Sequence, residues 1–148
     1  VSGDRLAIRP IADGEEAAVI ALWQACGLTR PWNDPTRDLA FARGGPASDV
    51  LVGLQDGRIV ASLMVGHDGH RGIVYYLSVD PALKRQGLGR EMMHAAERWL
   101  LDRGVWKVNL FVRDGNEPVL AFYDALGYEP QKTQLLGKWI DPSKKGGA

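Results

Sequence analysis

Val79-Asp80-Pro81-Ala82-Leu83-Lys84-Arg85-Gln86-Gly87-Leu88-Gly89-Arg90 runs out of an apolar segment, through a basic, glycine-bearing turn, and into a helical pattern. Upstream of it, Ile73-Val74-Tyr75-Tyr76-Leu77-Ser78-Val79 is the most apolar of three strand-like runs. Downstream, Leu88, Met92, Ala95, Ala96, Trp99 and Leu100 recur at helical spacing, with Glu91, Glu97, Arg98 and Asp102 on other faces. Gly104 is placed to end that helix, and Val105 to Val112 reads as the next strand. Strand, helix and strand in this order suit a right-handed parallel crossover.

Before the crossover, Val50 to Leu54 and Ile59 to Val65 are strand-like runs separated by Gln55-Asp56-Gly57-Arg58, and Asp-Gly signals a tight hairpin turn. Asp68-Gly69 repeats the signal before Ile73, so these runs predict an antiparallel meander. Nearer the N-terminus, Leu6, Ile8 and Ile11 alternate like a short strand. A helical pattern follows from Asp13 to about Cys26, with Glu15 and Glu16 early, where carboxylates suit the helix dipole. Gly27 ends it, and the two prolines in Thr29-Arg30-Pro31-Trp32-Asn33-Asp34-Pro35 forbid regular structure there. A second helix is expected over Thr36 to Arg43, before Gly44-Gly45-Pro46. At the other end, the pattern predicts a helix from Glu117 to Leu126, a strand over Gln134 to Ile140 and a frayed tail from Lys144. The expected class is α/β, in the sense of a mixed α+β sheet. Its N-terminal strands are antiparallel, a parallel β-α-β crossover lies at its centre, and helices flank it.

The chain has 148 residues, the size of one domain, so 1–148 is read as a single unit. Lys plus Arg and Asp plus Glu are 18 each, and a net charge of zero provides no overall field towards nucleic acid or an anionic membrane. Any anion site is therefore local. Cys26 has no second cysteine to pair with and fits a buried small hydrophobe in a reducing cytoplasm. No apolar run reaches the roughly 18 residues of a membrane span. Val1-Ser2-Gly3-Asp4-Arg5 has no charged-then-apolar export pattern.

The local chemistry of residues 84–90 favours phosphate. Backbone N–H groups at a helix N-terminus point outward with the positive end of the dipole, glycine permits close approach, and Lys84, Arg85 and Arg90 add charge. A nucleoside-triphosphatase loop would need Gly-Lys-Ser/Thr, but Gly89 is followed by Arg90 and Glu91. A dinucleotide fingerprint would need glycine at Met92, and too little chain follows for that fold, although Asp114 mimics its ribose acid. The remaining reading is plain turn geometry with solvated basic side chains.

Lys84-Arg85-Gln86-Gly87-Leu88-Gly89 resembles the acyl-CoA pyrophosphate motif of the GNAT family of N-acetyltransferases, Arg/Gln-x-x-Gly-x-Gly/Ala. Lys84 departs from the usual Arg or Gln, keeping the charge and losing the planar fork. Asn116 and Phe122-Tyr123-Asp124-Ala125-Leu126-Gly127-Tyr128 are similar to the family's second signature, at the expected distance after the next strand. The whole chain, including Arg30 to Pro35 and Asp68 to Gly72, is similar to a bacterial single-domain subgroup of that family.

The resemblance implies transfer of acetyl from acetyl-CoA to a primary amine, which attacks the thioester directly in a ternary complex and expels the thiolate. Leu77, Ser78 and Val79 would pair with the pantetheine arm. Lys84, Arg85, Gln86, Gly87, Leu88, Gly89 and Arg90 would hold the pyrophosphate. Asn116 would orient the cofactor, although Asn before a helix is also an ordinary N-cap. Tyr123 matches the tyrosine that donates a proton to the leaving thiolate, yet it also falls in the apolar arc of Val119, Leu120, Phe122 and Leu126. The acceptor, a small-molecule or a peptide or protein amine, would meet Trp32, Asp34 and Tyr75. Trp32 could equally plug the core. Asp34, Tyr75, Tyr76, His67 and His70 are candidates for the general base. No metal is expected, because a turn separates the two histidines and no further ligand lies near. A homodimer is compatible with the resemblance. The competing functions are an acyl-CoA sensor without transfer and a nucleotide-dependent oxidoreductase.

Overall fold

The computed structural model describes residues 5–145, in two units that divide between Leu110 and Phe111. Lys144, where a frayed tail was expected, closes a short 3-10 turn, Pro142–Lys144. The rest of that tail, 146–148, and the N-terminal residues 1–4 lie outside the described residues.

The first unit is built on a sheet of five strands in the order β1 (Ala7–Pro10), β2 (Ser48–Gln55), β3 (Arg58–His67), β4 (Gly72–Val79) and β5 (Val108–Asn109). The first four are antiparallel neighbours, and β5 runs parallel to β4 at the end of the order. Helices α1 (Glu16–Ala25) and α2 (Pro35–Ala42) lie between β1 and β2 in the chain, and α3 (Leu88–Leu101) between β4 and β5. This is the mixed α+β architecture that the meander and crossover patterns predict. The β2–β3 turn has Asp56 at φ 52 and Gly57 at φ 77, the left-handed pair that a two-residue hairpin requires.

Period-two alternation divides the sheet into two buried faces. Val50 and Val52 point to one, where they join Ile11, Val19, Trp23, Leu39 and Ala42 under α1 and α2. Gly53 belongs to the other, under α3, where a Cβ at that position would come 2.9 Å from both Leu6 Cδ1 and Met92 Sδ. Met92, Met93, Ala96 and Leu100 bury one stripe of α3 there. The helix starts differ from the spacing alone. α2 begins at Pro35, one residue before the expected Thr36, because Pro suits the first helical position and Asp34 caps it.

Two expected strands are not formed as predicted. Of Val105 to Val112, only Val108–Asn109 pairs, with one further backbone bond from Gly72 N–H to the Lys107 carbonyl at 2.8 Å. The β4 partners run out at Ile73, and residues from Phe111 onward belong to the second unit. Residues 134–140 form no strand and are exposed throughout. Their apolar residues come as adjacent pairs, Leu135-Leu136 and Trp139-Ile140, around Gly137, so an extended backbone would present no single apolar face. In the second unit, α4 (Glu117–Ala125) is the predicted helix.

Candidate acyl-CoA site

The strand that feeds the loop is itself irregular. Register between β3 and β4 runs from Ala61↔Val79 and Ser62↔Ser78, then shifts, and resumes at Met64↔Tyr75. Leu63 therefore faces both Tyr76 and Leu77, and Tyr76 takes φ 58. This is a β-bulge in the middle of β4, and the apolar run from Ile73 to Val79 contains no sign of it. Among the expected cofactor residues on this strand, Leu77 and Val79 are half-buried and Ser78 is buried, its hydroxyl donating to the Ser62 carbonyl at 3.2 Å. The Ser78 side chain is thus engaged within the sheet.

After Val79, Asp80 turns the chain by accepting from the Ala82 N–H at 2.9 Å and from Arg58 at 3.0 Å. These two bonds hold its carboxyl below the usual carboxylate range, the backbone bond contributing more. Arg85 at φ 65 and Gly87 at φ 78 then bring the chain into α3 with no side chain capping its first N–H groups. An uncapped start leaves those donors for water or a ligand. Lys84, Arg85, Gln86 and Arg90 are exposed, and among the described residues the three cations make no ion pair. The carboxylate of Glu91 is drawn off towards β1, accepting from Arg5 N–H at 2.8 Å and Leu6 N–H at 3.1 Å. The turn is left electropositive, with backbone donors and, among the described residues, no acid paired with its cations, which fits the diphosphate of a CoA.

Of the acceptor candidates, Tyr75 lies on β4, and Trp32 and Asp34 lie between α1 and α2. Tyr75 is 45% exposed, and partial burial raises its phenol. Trp32 is half-buried, and Asp34 is exposed with Oδ1 accepting from Thr36 N–H at 3.0 Å and Arg37 N–H at 3.4 Å. Tyr76 stacks on Trp23, centroids 4.0 Å apart at 9°, and its hydroxyl donates to Asp38 Oδ2 at 2.8 Å. Burial first, and then Asp38, push this phenol well above its ordinary range, so at neutral pH it is a donor and not a base. The His67 ring accepts from Gly69 N–H at 3.0 Å in its own turn. Nothing in the sequence had marked Asp38 or Trp23, whose spacing reads as ordinary helix composition.

The sequence pattern of the acetyltransferase (GNAT) family matches residues 17–128. The chain belongs to that family. An acetyltransferase of Yersinia enterocolitica is 40% identical over 131 residues, covering 88% of this chain and 93% of the relative. Among solved structures, a transcriptional regulator from Bacillus halodurans superposes with a TM-score of 0.77 at 17% identity, covering 90% of this chain and 99% of that one. A protein from Clostridium acetobutylicum, described as a predicted acetyltransferase with acetyl-CoA, gives 0.71 at 13% identity, covering 90% and 96%. These last two likenesses show the fold. The protein is an acetyltransferase, and GNAT acetyltransferases use acetyl-CoA.

The remaining expected residues of this acetyltransferase are carried by its second unit. Asn116 is the N-cap of α4, its Oδ1 accepting from Val119 N–H at 3.4 Å. Tyr123, on α4, packs edge-on against Phe122 at 4.9 Å and Tyr128 at 5.5 Å. Burial alone pushes its phenol up to about 12, so the hydroxyl is fully protonated at neutral pH. Among the described residues, no helix is long and apolar enough to cross a membrane.

Proposed function

We propose that this acetyltransferase moves the acetyl group of acetyl-CoA onto a primary amine, by direct attack of the amine in a ternary complex. The observation that carries the reading is the start of α3, uncapped by any side chain and ringed by Lys84, Arg85 and Arg90. Its free N–H groups and dipole suit a pyrophosphate, with Gln86, Gly87, Leu88 and Gly89 forming the backbone cradle. The backbone of Leu77, Ser78 and Val79 would take the pantetheine arm at the irregular end of β4, with Asn116 orienting the cofactor.

The bound thioester supplies an activated acyl carbon. Tyr123, held protonated by burial, is the residue we assign to proton donation to the departing thiolate. The acceptor amine is assigned to Trp32, Asp34 and Tyr75. Asp34 caps α2 through Oδ1, which leaves its other oxygen exposed for a cation. The family match takes in residues of both units, which supports reading 1–148 as one acetyltransferase domain. A panel of small amines, peptide N-termini and lysine peptides, assayed for free thiol released from acetyl-CoA, tests this. Amine-dependent thiol release supports the reading, and its absence across all classes contradicts it.

A further inference from the structure

Tyr76 is an aromatic residue at φ 58 in the middle of a strand, whereas the other described non-glycine residues with positive φ, Asp56 and Arg85, sit in turns. Such a conformation is strained for a residue with a Cβ and persists only where the surroundings over-determine it. Here two contacts do so. The ring lies flat on Trp23, which is fully buried, and the hydroxyl is bonded to Asp38. Trp23 stands two residues before the end of α1, and Asp38 lies in the first turn of α2. The chain between those helices is the segment holding Trp32 and Asp34. One strained tyrosine therefore grips both ends of the acceptor segment and sets the bulge from which Leu77 follows.

We propose that Trp23, Tyr76 and Asp38 are positioning residues for acetyl transfer, locking the β4 bulge and the acceptor segment to each other. The inference rests on the acetyl-transfer reading above. The clamp is a matter of geometry, and Asp38 serves as a hydrogen-bond acceptor whose charge is not required.

Three variants separate this from a purely structural role. Tyr76→Phe keeps the stack and loses the bond to Asp38. Asp38→Ala loses the acceptor, and Asp38→Asn restores a neutral one. Each is assayed for kcat with an accepted amine and for the shift in unfolding temperature caused by acetyl-CoA. Tyr76→Phe and Asp38→Ala should lower kcat about tenfold, the scale of a small misplacement of reacting groups, with the acetyl-CoA shift retained. Asp38→Asn should return kcat to near the wild-type value. Unchanged kcat in Tyr76→Phe, beside an active wild type, overturns the clamp and leaves acetyl transfer standing. So does an Asp38→Asn variant as slow as Asp38→Ala, which would assign the role to charge. A wild type neither active nor stabilised by acetyl-CoA overturns the reading on which the clamp depends.

Discussion

The Cys26 thiol, at the C-terminal end of α1, donates to the Val79 carbonyl at 3.2 Å. Val79 is the last residue of β4 and one of those assigned to the pantetheine arm. A half-buried cysteine that reads in sequence as core filling thus lies against the end of β4. Burial, more than any other influence, raises its pKa, so the thiol alkylates slowly at neutral pH. Acetyl-CoA should slow labelling of Cys26 by iodoacetamide further, and labelled protein should show a smaller acetyl-CoA shift. Equal labelling rates with and without acetyl-CoA would place the arm elsewhere.

Tyr123→Phe should lower kcat about a hundredfold, within the usual range for loss of a general acid, with acetyl-CoA binding retained. The native phenol, with its pKa raised to about 12, stays protonated as pH rises through the ordinary tyrosine range near 10. No alkaline loss of kcat assignable to this group should therefore appear in the ordinary tyrosine range near pH 10. A limb that disappears in the Phe variant at lower pH would contradict that protonation state.

The strand pairing and helix order were legible because β2 to β4 are nearly continuous apolar runs separated by Asp-Gly turns, and because apolar residues recur at helical spacing in α3. The glycine-bearing turn was legible because its chemistry is local. The bulge was not. Tyr76 occupies a left-handed conformation that its neighbours in sequence do not suggest, and its supports, Trp23 and Asp38, lie about 40 to 50 residues away in the chain. Residues 134–140 show the opposite error, in which a hydrophobic composition was read as a strand although it alternates poorly.

Gly72→Ala should destabilise the protein without touching the site. A Cβ there would lie 2.5 Å from Leu100 Cδ1 and 3.1 Å from Leu100 Cγ, and Leu100 is 2% exposed, so a buried side chain would have to shift. Overpacking of this kind costs about 1–3 kcal/mol. Denaturant unfolding should show a lower midpoint at unchanged slope. A midpoint equal to that of the wild type would mean that Leu100 can turn aside.

Acid stability should depend on Glu15. Its carboxylate accepts from Arg9 at 2.8 Å and from Ala12 N–H at 2.8 Å, and these bonds, Arg9 first, lower its pKa to about 2. A depressed carboxyl pKa contributes stability that is full above the unfolded value of 4.5 and is lost as pH falls towards 2. Glu15→Gln should therefore cost stability at pH 7 and show a weaker dependence on pH between 4.5 and 2. Parallel pH profiles for the two proteins in that window would contradict the bonding.

The most direct measurement is thermal unfolding with and without acetyl-CoA for the wild type and Gly89→Glu. A glutamate in the first turn of α3 is favourable for the helix itself, so the variant should fold, while its charge and bulk oppose a bound pyrophosphate. The account predicts a clear rise in the wild-type unfolding temperature, equivalent to about 2.7 kcal/mol at a hundredfold excess over Kd, and little or none in the variant. Equal stabilisation of both proteins by acetyl-CoA would show that the cofactor does not lie on the α3 N-terminus.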